Sequence, residues 1–116
     1  MRFLLTFLMS KSVLPDRELN HKCFGEMMSF LAELKASRQL VFDSQVLPEP
    51  ATVRVSGVDS RGDPGEPDTE FVLGGFFVID ASNHAEALAI ARRCPHAQVG
   101  PVELRALDET DQNAFS

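Results

Sequence analysis

An α+β domain with one antiparallel sheet and two helices is what three features of this sequence predict. The first is Leu73-Gly74-Gly75-Phe76-Phe77-Val78-Ile79-Asp80, a strand apolar on both faces, which runs straight into an alanine-rich helix ending at Cys94-Pro95. The second is a nearly continuous apolar run from Phe3 to Met9, read as a central strand. The third is the recurrence of Leu19, Cys23, Phe24, Met27, Phe30, Leu31 and Leu34 at three- and four-residue steps, opposite Glu18, Lys22, Glu26, Glu33 and Lys35. A chain of 116 residues has room for one such sheet, two helices and a modest core.

Taken in order, Phe3 to Met9 forms the first strand, and Pro15-Asp16 opens the first helix, since proline in a first turn lacks a hydrogen that would go unused anyway. Gly25 and Ser29 interrupt that helix mildly and suggest that another backbone comes close. Leu40 to Leu47 reads as a second strand, Pro48-Glu49-Pro50 as a break, and Thr52 to Ser56 alternates as a third strand. Gly57 to Asp68 is rich in glycine, proline and carboxylates, which marks a loop. Phe71 to Asp80 is the fourth strand, with Phe71, Leu73, Phe77 and Ile79 assigned to one face and Val72, Phe76 and Val78 to the other. Asn83 and Glu86 have capping-box spacing, with Ser82 as a rival cap, and Arg92 and Arg93 suit the helix C-terminus. Val102 to Leu107 closes the sheet. This order is that of a ferredoxin-like domain over residues 1–107, with 108–116 as an acidic tail.

Eleven basic against seventeen acidic residues give a net charge of -6, which disfavours a phosphate backbone and argues against nucleic acid as a partner. Cys23 and Cys94 lack metal-ligand spacing, so neither a structural disulfide nor a metal is expected, and the chain reads as cytoplasmic. The opening apolar run is short for a signal peptide and is followed by Leu14-Pro15-Asp16-Arg17 rather than a small-residue cleavage site. No run reaches membrane-spanning length. Two helices can cover one face of the sheet, which leaves the other apolar face open; a second copy laid against it, a homodimer, is the arrangement this burial argument predicts.

The stretches Leu73 to Asp80, Glu86-Ala87-Leu88, Ala91-Arg92-Arg93-Cys94-Pro95 and Val102-Glu103-Leu104-Arg105 together resemble the YCII-related proteins, in particular the branch with an Asp-Gly-Pro-Phe motif. The resemblance continues more loosely through Phe30 to Leu34 and Leu47-Pro48. It implies a dimeric α+β barrel built from two ferredoxin-like subunits, with chemistry at a His/Asp pair beside a cleft between sheet and helices. By this alignment the motif aspartate falls on Asp63, but Pro64-Gly65-Glu66 replaces Gly-Pro-Phe, Asp68 stands for the motif glutamate, and Glu70 for a lysine. Met27 and Met28 occupy the helix position where relatives often carry histidine.

Asp63 is therefore the leading candidate for a catalytic base, with Asp68 or Glu66 as a like-charged neighbour able to raise its pKa. Solvation of these loop carboxylates is the competing reading. His21 is a weaker second candidate, as imidazole titrates near neutrality. Arg105, on the face opposite Val102 and Leu104, either pairs with Glu70 or Asp80 or binds a substrate carboxylate. Met27 and Phe30 would suit a small apolar or aromatic ligand. His84 and His96 have no ligand-spaced partners, Gly74-Gly75 suggests a bulge or close backbone packing, and Cys94 reads as core. The two functions that follow are a small-molecule lyase or isomerase with a carboxylate base, needing no cofactor, and a binding protein whose catalytic pair is lost.

Overall fold

The computed structural model describes residues 1–47, 53–55, 62–64 and 70–108. Its elements are β1 (Arg2–Ser10), α1 (Arg17–Ala36), β2 (Leu40–Gln45), β3 (Val53–Val55), β4 (Gly62–Pro64), β5 (Phe71–Asp80), α2 (His84–Arg92), a 3-10 turn (Pro95–Gln98) and β6 (Val102–Ala106). The four long strands form one antiparallel sheet in the order β2-β5-β1-β6, as ferredoxin-like topology requires. The sequence reading placed a loop from Gly57 to Asp68, but Gly62–Pro64 is a strand that pairs with β3 in a separate hairpin.

Capping decides where the helices begin and end. Asp16 accepts from the Leu19 amide at 3.0 Å and starts α1. At the other end, Gln39 N donates to Leu34 O and Arg38 N to Lys35 O, a Schellman closure with Arg38 in the left-handed region at φ 60°. Asn83 caps α2 by accepting from the Glu86 amide at 2.8 Å, whereas the Glu86 carboxylate reaches back to the Ser82 amide rather than to the cap itself.

Burial follows the strand register. Phe3, Leu5 and Phe7 of β1 and Phe77 and Ile79 of β5 turn toward the helices, where Phe30, Leu31 and Leu34 of α1 and Ala87 and Ile90 of α2 cover them. Two irregularities shift this pattern. Phe7 pairs with Gly75 but Leu8 pairs with Leu73, so Gly74 is an extra residue in β5. Below the bulge the faces exchange, and Leu73, expected beside Phe77, shares the outer face with Leu8 and is 40% exposed. A similar slip between Leu40 and Phe42 leaves Val41 as the extra residue in β2.

The sheet is open, with β2 and β6 as its edges, and the α+β barrel expected from the resemblance is not the architecture found. β2 pairs with β5 and β6 with β1, and the additional hairpin pairs within itself rather than bridging those edges. The outer face is also less apolar than the sequence suggested. Arg2 pairs with Asp80 at 3.4 Å and Arg105 with Glu103 at 3.2 Å, and Thr6 lies within reach of Arg105. These polar pairs interrupt a face that still exposes Phe42 and Leu73, and with the sheet not closed into a barrel the homodimer expected from barrel formation loses its support.

Glycines in two settings give opposite expectations. A Cβ at Gly100 would run into the Leu8 carbonyl group, whereas one at Gly25 meets no heavy atom within 4 Å. Gly25 therefore admits no neighbouring backbone, contrary to the sequence reading. Gly100→Ala should lower the unfolding free energy by about 1–3 kcal/mol, as overpacking does. Gly25→Ala should raise it by about 0.5–1 kcal/mol through helix propensity and unfolded-state entropy. Urea titrations of both variants check the pair.

Candidate functional site

A half-open cavity of about 320 Å³ lies between the helix-facing side of the sheet and α1. That volume is at the low end of small-molecule sites, enough for one substituted ring. Its floor is shaped by the glycine break. Gly74 and Gly75 present bare backbone there, beside Phe7, Met9 and Phe77. Close approach of backbone requires Gly75, where a Cβ would stand 2.9 Å from Ser44 O, whereas one on Gly74 would stand 3.0 Å from Met9 Cγ and displace that side chain. The same two residues thus make the bulge and leave the space.

Helix α1 supplies the roof. Met27 and Leu31 descend into the core, whereas Phe24 and Met28 line the cavity while 53% and 49% exposed, forming an apolar lip. Cys23 also lines it, but its thiol donates to Pro95 O at 3.6 Å, and burial pushes its pKa up. Cys94 donates to Met27 Sδ at 3.6 Å and is pushed up to about 11, chiefly by burial. Both cysteines are free and buried. A thiol protonated at neutral pH is a poor nucleophile, so neither marks covalent chemistry.

Two polar residues that sequence reasoning passed over stand at this cavity. Asp43 enters from the edge strand β2, opposite Phe77 in the ladder. It is half-buried and has no hydrogen-bond or ion-pair partner among the described residues. Its orientation depends on the slip at Val41, since strict alternation would set Asp43 on the face opposite Leu40. An inward carboxylate on an edge strand also discourages strand addition, a structural role that Asp43 can fill at the same time.

His96 is the other, 5% exposed and packed on Phe7 with ring centroids 5.3 Å apart. Its position has a backbone cause. Leu8 N donates to Pro101 O at 3.0 Å, and in an antiparallel pair the residue opposite should return a hydrogen bond to Leu8 O. Proline has no N–H to return. His96 Nε2, 2.7 Å from Leu8 O, fills the vacancy. Because a carbonyl only accepts, Nε2 carries the proton, and Nδ1 is left as an acceptor on the neutral ring. Nδ1 has no hydrogen-bond partner among the described residues, and His96 is one of the residues lining the cavity. The signal in the sequence was a histidine shortly before a Gly-Pro entering a strand.

The residues singled out from sequence are dispersed. Met27 lines the cavity as expected. Phe30 lies deeper, stacked near Phe77 with centroids 6.5 Å apart and covered by the Arg93 guanidinium. His21 is exposed on α1 and is not among the residues lining the cavity. Arg105 is on the opposite side of the sheet and pairs with Glu103 rather than with Glu70 or Asp80. Asp63 lies in β4 opposite Arg54. Asp68 and Glu66 fall outside the described residues. Among the described residues no three His, Cys, Asp or Glu side chains are placed to hold a metal ion. No described helix is long and apolar enough to cross a membrane.

Burial lowers the His96 pKa below its ordinary 6.5, with the Leu8 hydrogen bond opposing in part. The unfolded chain therefore takes up this proton at higher pH than the native one. Stability from His96 is fully present above about pH 6.5 and is lost as pH falls through the lower native value. Urea melts from neutral to mildly acidic pH should show that loss, and His96→Gln, which cannot titrate, should flatten the slope.

The chain matches the model of the YCII-related domain over residues 1–110. Among solved structures it is similar to 5-chloro-2-hydroxyhydroquinone dehydrochlorinase from Burkholderia phenoliruptrix, in complex with 2,5-dihydroxybenzoquinone. The TM-score is 0.59 at 15% identity, covering 93% of this chain and 94% of that one, a likeness of fold. A search of curated proteins finds no match. With nearly its whole length matched and the ferredoxin-like strand order in place, the chain belongs to the YCII-related family.

Proposed function

We propose that this protein is a small-molecule enzyme that moves a proton on a ligand held between α1 and the sheet, with Asp43 as the base. The observation that carries this reading is a carboxylate with no partner among the described residues, at a cavity walled by methionine, phenylalanine and bare glycine backbone. A general base must reach its proton without first leaving an ion pair, and Asp43 has none to leave. His96 Nδ1 is a second acceptor, held in one tautomer by Leu8. Two reactions fit. In an elimination, Asp43 takes a proton and the released electron pair expels a leaving group such as chloride. In an isomerisation, the proton returns to a different carbon. The fold shared with a dehydrochlorinase supports the first.

Asp63, the base suggested by the family motif, competes for the same role, and the two are separable by substitution. A second reading, binding without turnover, draws on the adaptable wall of Met9, Met27 and Met28. Chloride release from 5-chloro-2-hydroxyhydroquinone, the compound named for the relative, is the first assay to run. Asp43→Asn should lower kcat by about 10²–10⁴-fold with KM little changed, the range for loss of a general base. Asp63→Asn should leave the rate near that of the unsubstituted protein. The reverse pattern would transfer the role to Asp63, and ligand binding without turnover of any chlorinated or isomerisable substrate would favour the second reading.

A further inference from the structure

The cavity's polar groups differ in whether they are still available. Asn20 lines it, but its amide nitrogen donates to the carbonyls of Val13, Leu14 and Asp16 at 3.0, 3.2 and 2.7 Å. The Cys23 thiol is engaged with Pro95 O, the Ser44 hydroxyl with Gln45 O, and His96 Nε2 with Leu8 O. These four donors are all committed. What is left unengaged is chiefly acceptor capacity: both Asp43 oxygens and His96 Nδ1. Gln45 adds an amide of mixed character at the exposed edge.

Charge gives the same direction. No lysine or arginine is among the described residues that line the cavity, and the chain as a whole carries a charge of -6. The aromatic walls are all phenylalanine, as the sequence contains no tyrosine or tryptophan, so the rings offer faces but no further donors. An anionic ligand would have to approach Asp43 with no cation among the described lining residues to neutralise either charge. A phenolic hydroxyl or an ammonium group would find a waiting acceptor and, for the ammonium, ring faces suited to cations.

We infer that the cavity selects small aromatic ligands that present a hydrogen-bond donor, phenolic hydroxyl or ammonium, to Asp43, and rejects aromatic carboxylates of the same size. This rests on the reading of the cavity as the ligand site, and does not require turnover. It names a specificity determinant: Asp43 would set the sign of charge accepted, as well as acting as base. A ligand aligned by its donor also places that proton at the carboxylate, which joins recognition to the first step of the proposed reaction.

Titration calorimetry at neutral pH with phenethylamine, para-ethylphenol and hydrocinnamate tests this, since the three share a ring and a two-carbon arm and differ in the charge and donor they carry. The amine and the phenol should each bind at least about tenfold more tightly than the carboxylate, a charge-complementarity effect. Asp43→Asn should narrow that gap to about twofold or less. Phe24→Arg, a change at the exposed lip that puts a cation beside the opening, should turn the preference toward hydrocinnamate. Equal affinity for all three, or an unchanged ranking in Asp43→Asn, would overturn this inference while leaving the cavity as a ligand site. If none of the three bound, the cavity reading itself would fall, and this inference with it.

Discussion

Everything at the site follows from the way β5 passes two glycines through the middle of a sheet. Gly75 sits against the β2 backbone, which leaves no room for a side chain, and Gly74 sits against the Met9 side chain, which would have to shift to admit one. One consequence is geometric, as the extra residue flips Leu73 outward and shifts the register in which β1 and β5 go on pairing. The other is volumetric. Where Phe3, Leu5 and Ile79 fill the space under the helices, the glycine segment fills none, and α1 spans the gap on its methionine and phenylalanine side chains. The core and the cavity are therefore neighbouring solutions to one packing problem.

The same region shows how a missing backbone donor can be replaced. Pro101 ends the reciprocal pairing of β6 with β1, and an imidazole from the preceding turn completes it. Gly100 is part of the arrangement because the Leu8 carbonyl occupies the place of its absent side chain. A histidine used in this way is tied to the integrity of the sheet and still keeps one nitrogen for other purposes. Its burial couples the stability of the sheet edge to proton uptake, and the coupling runs in one direction, toward loss on acidification.

Much of the fold was legible because its signals are local. The apolar runs of β1 and β5, the three- and four-residue steps of α1, and the Asn83-to-Glu86 cap each depend on residues close in sequence, and the strand order follows from their succession. The end of α1 carried no such signal, since arginine rather than glycine holds the left-handed position after the cap. The candidate site was legible only in part. Met27 could be read from helix periodicity, but Asp43 faces inward because of a slip at Val41 that alternation does not reveal. His96 gains its meaning from the proline opposite Leu8, and it reaches the Leu8 carbonyl from 88 residues away in the chain. The outer face was misjudged because apolar content was counted without its polar pairs, Arg2 with Asp80 across β1 and β5 and Arg105 with Glu103 along β6.

The Asn20 side chain, described above for what it no longer offers a ligand, has an effect on how the roof behaves. By gripping the carbonyl groups of Val13, Leu14 and Asp16, it moors the first turns of α1 to the connection that leads in from β1. A roof tethered in this way is already standing when a guest arrives. Occupancy then owes little to the ordering of the host, and discrimination between guests is settled by fit to a ready-made shape rather than by the work of shutting a door.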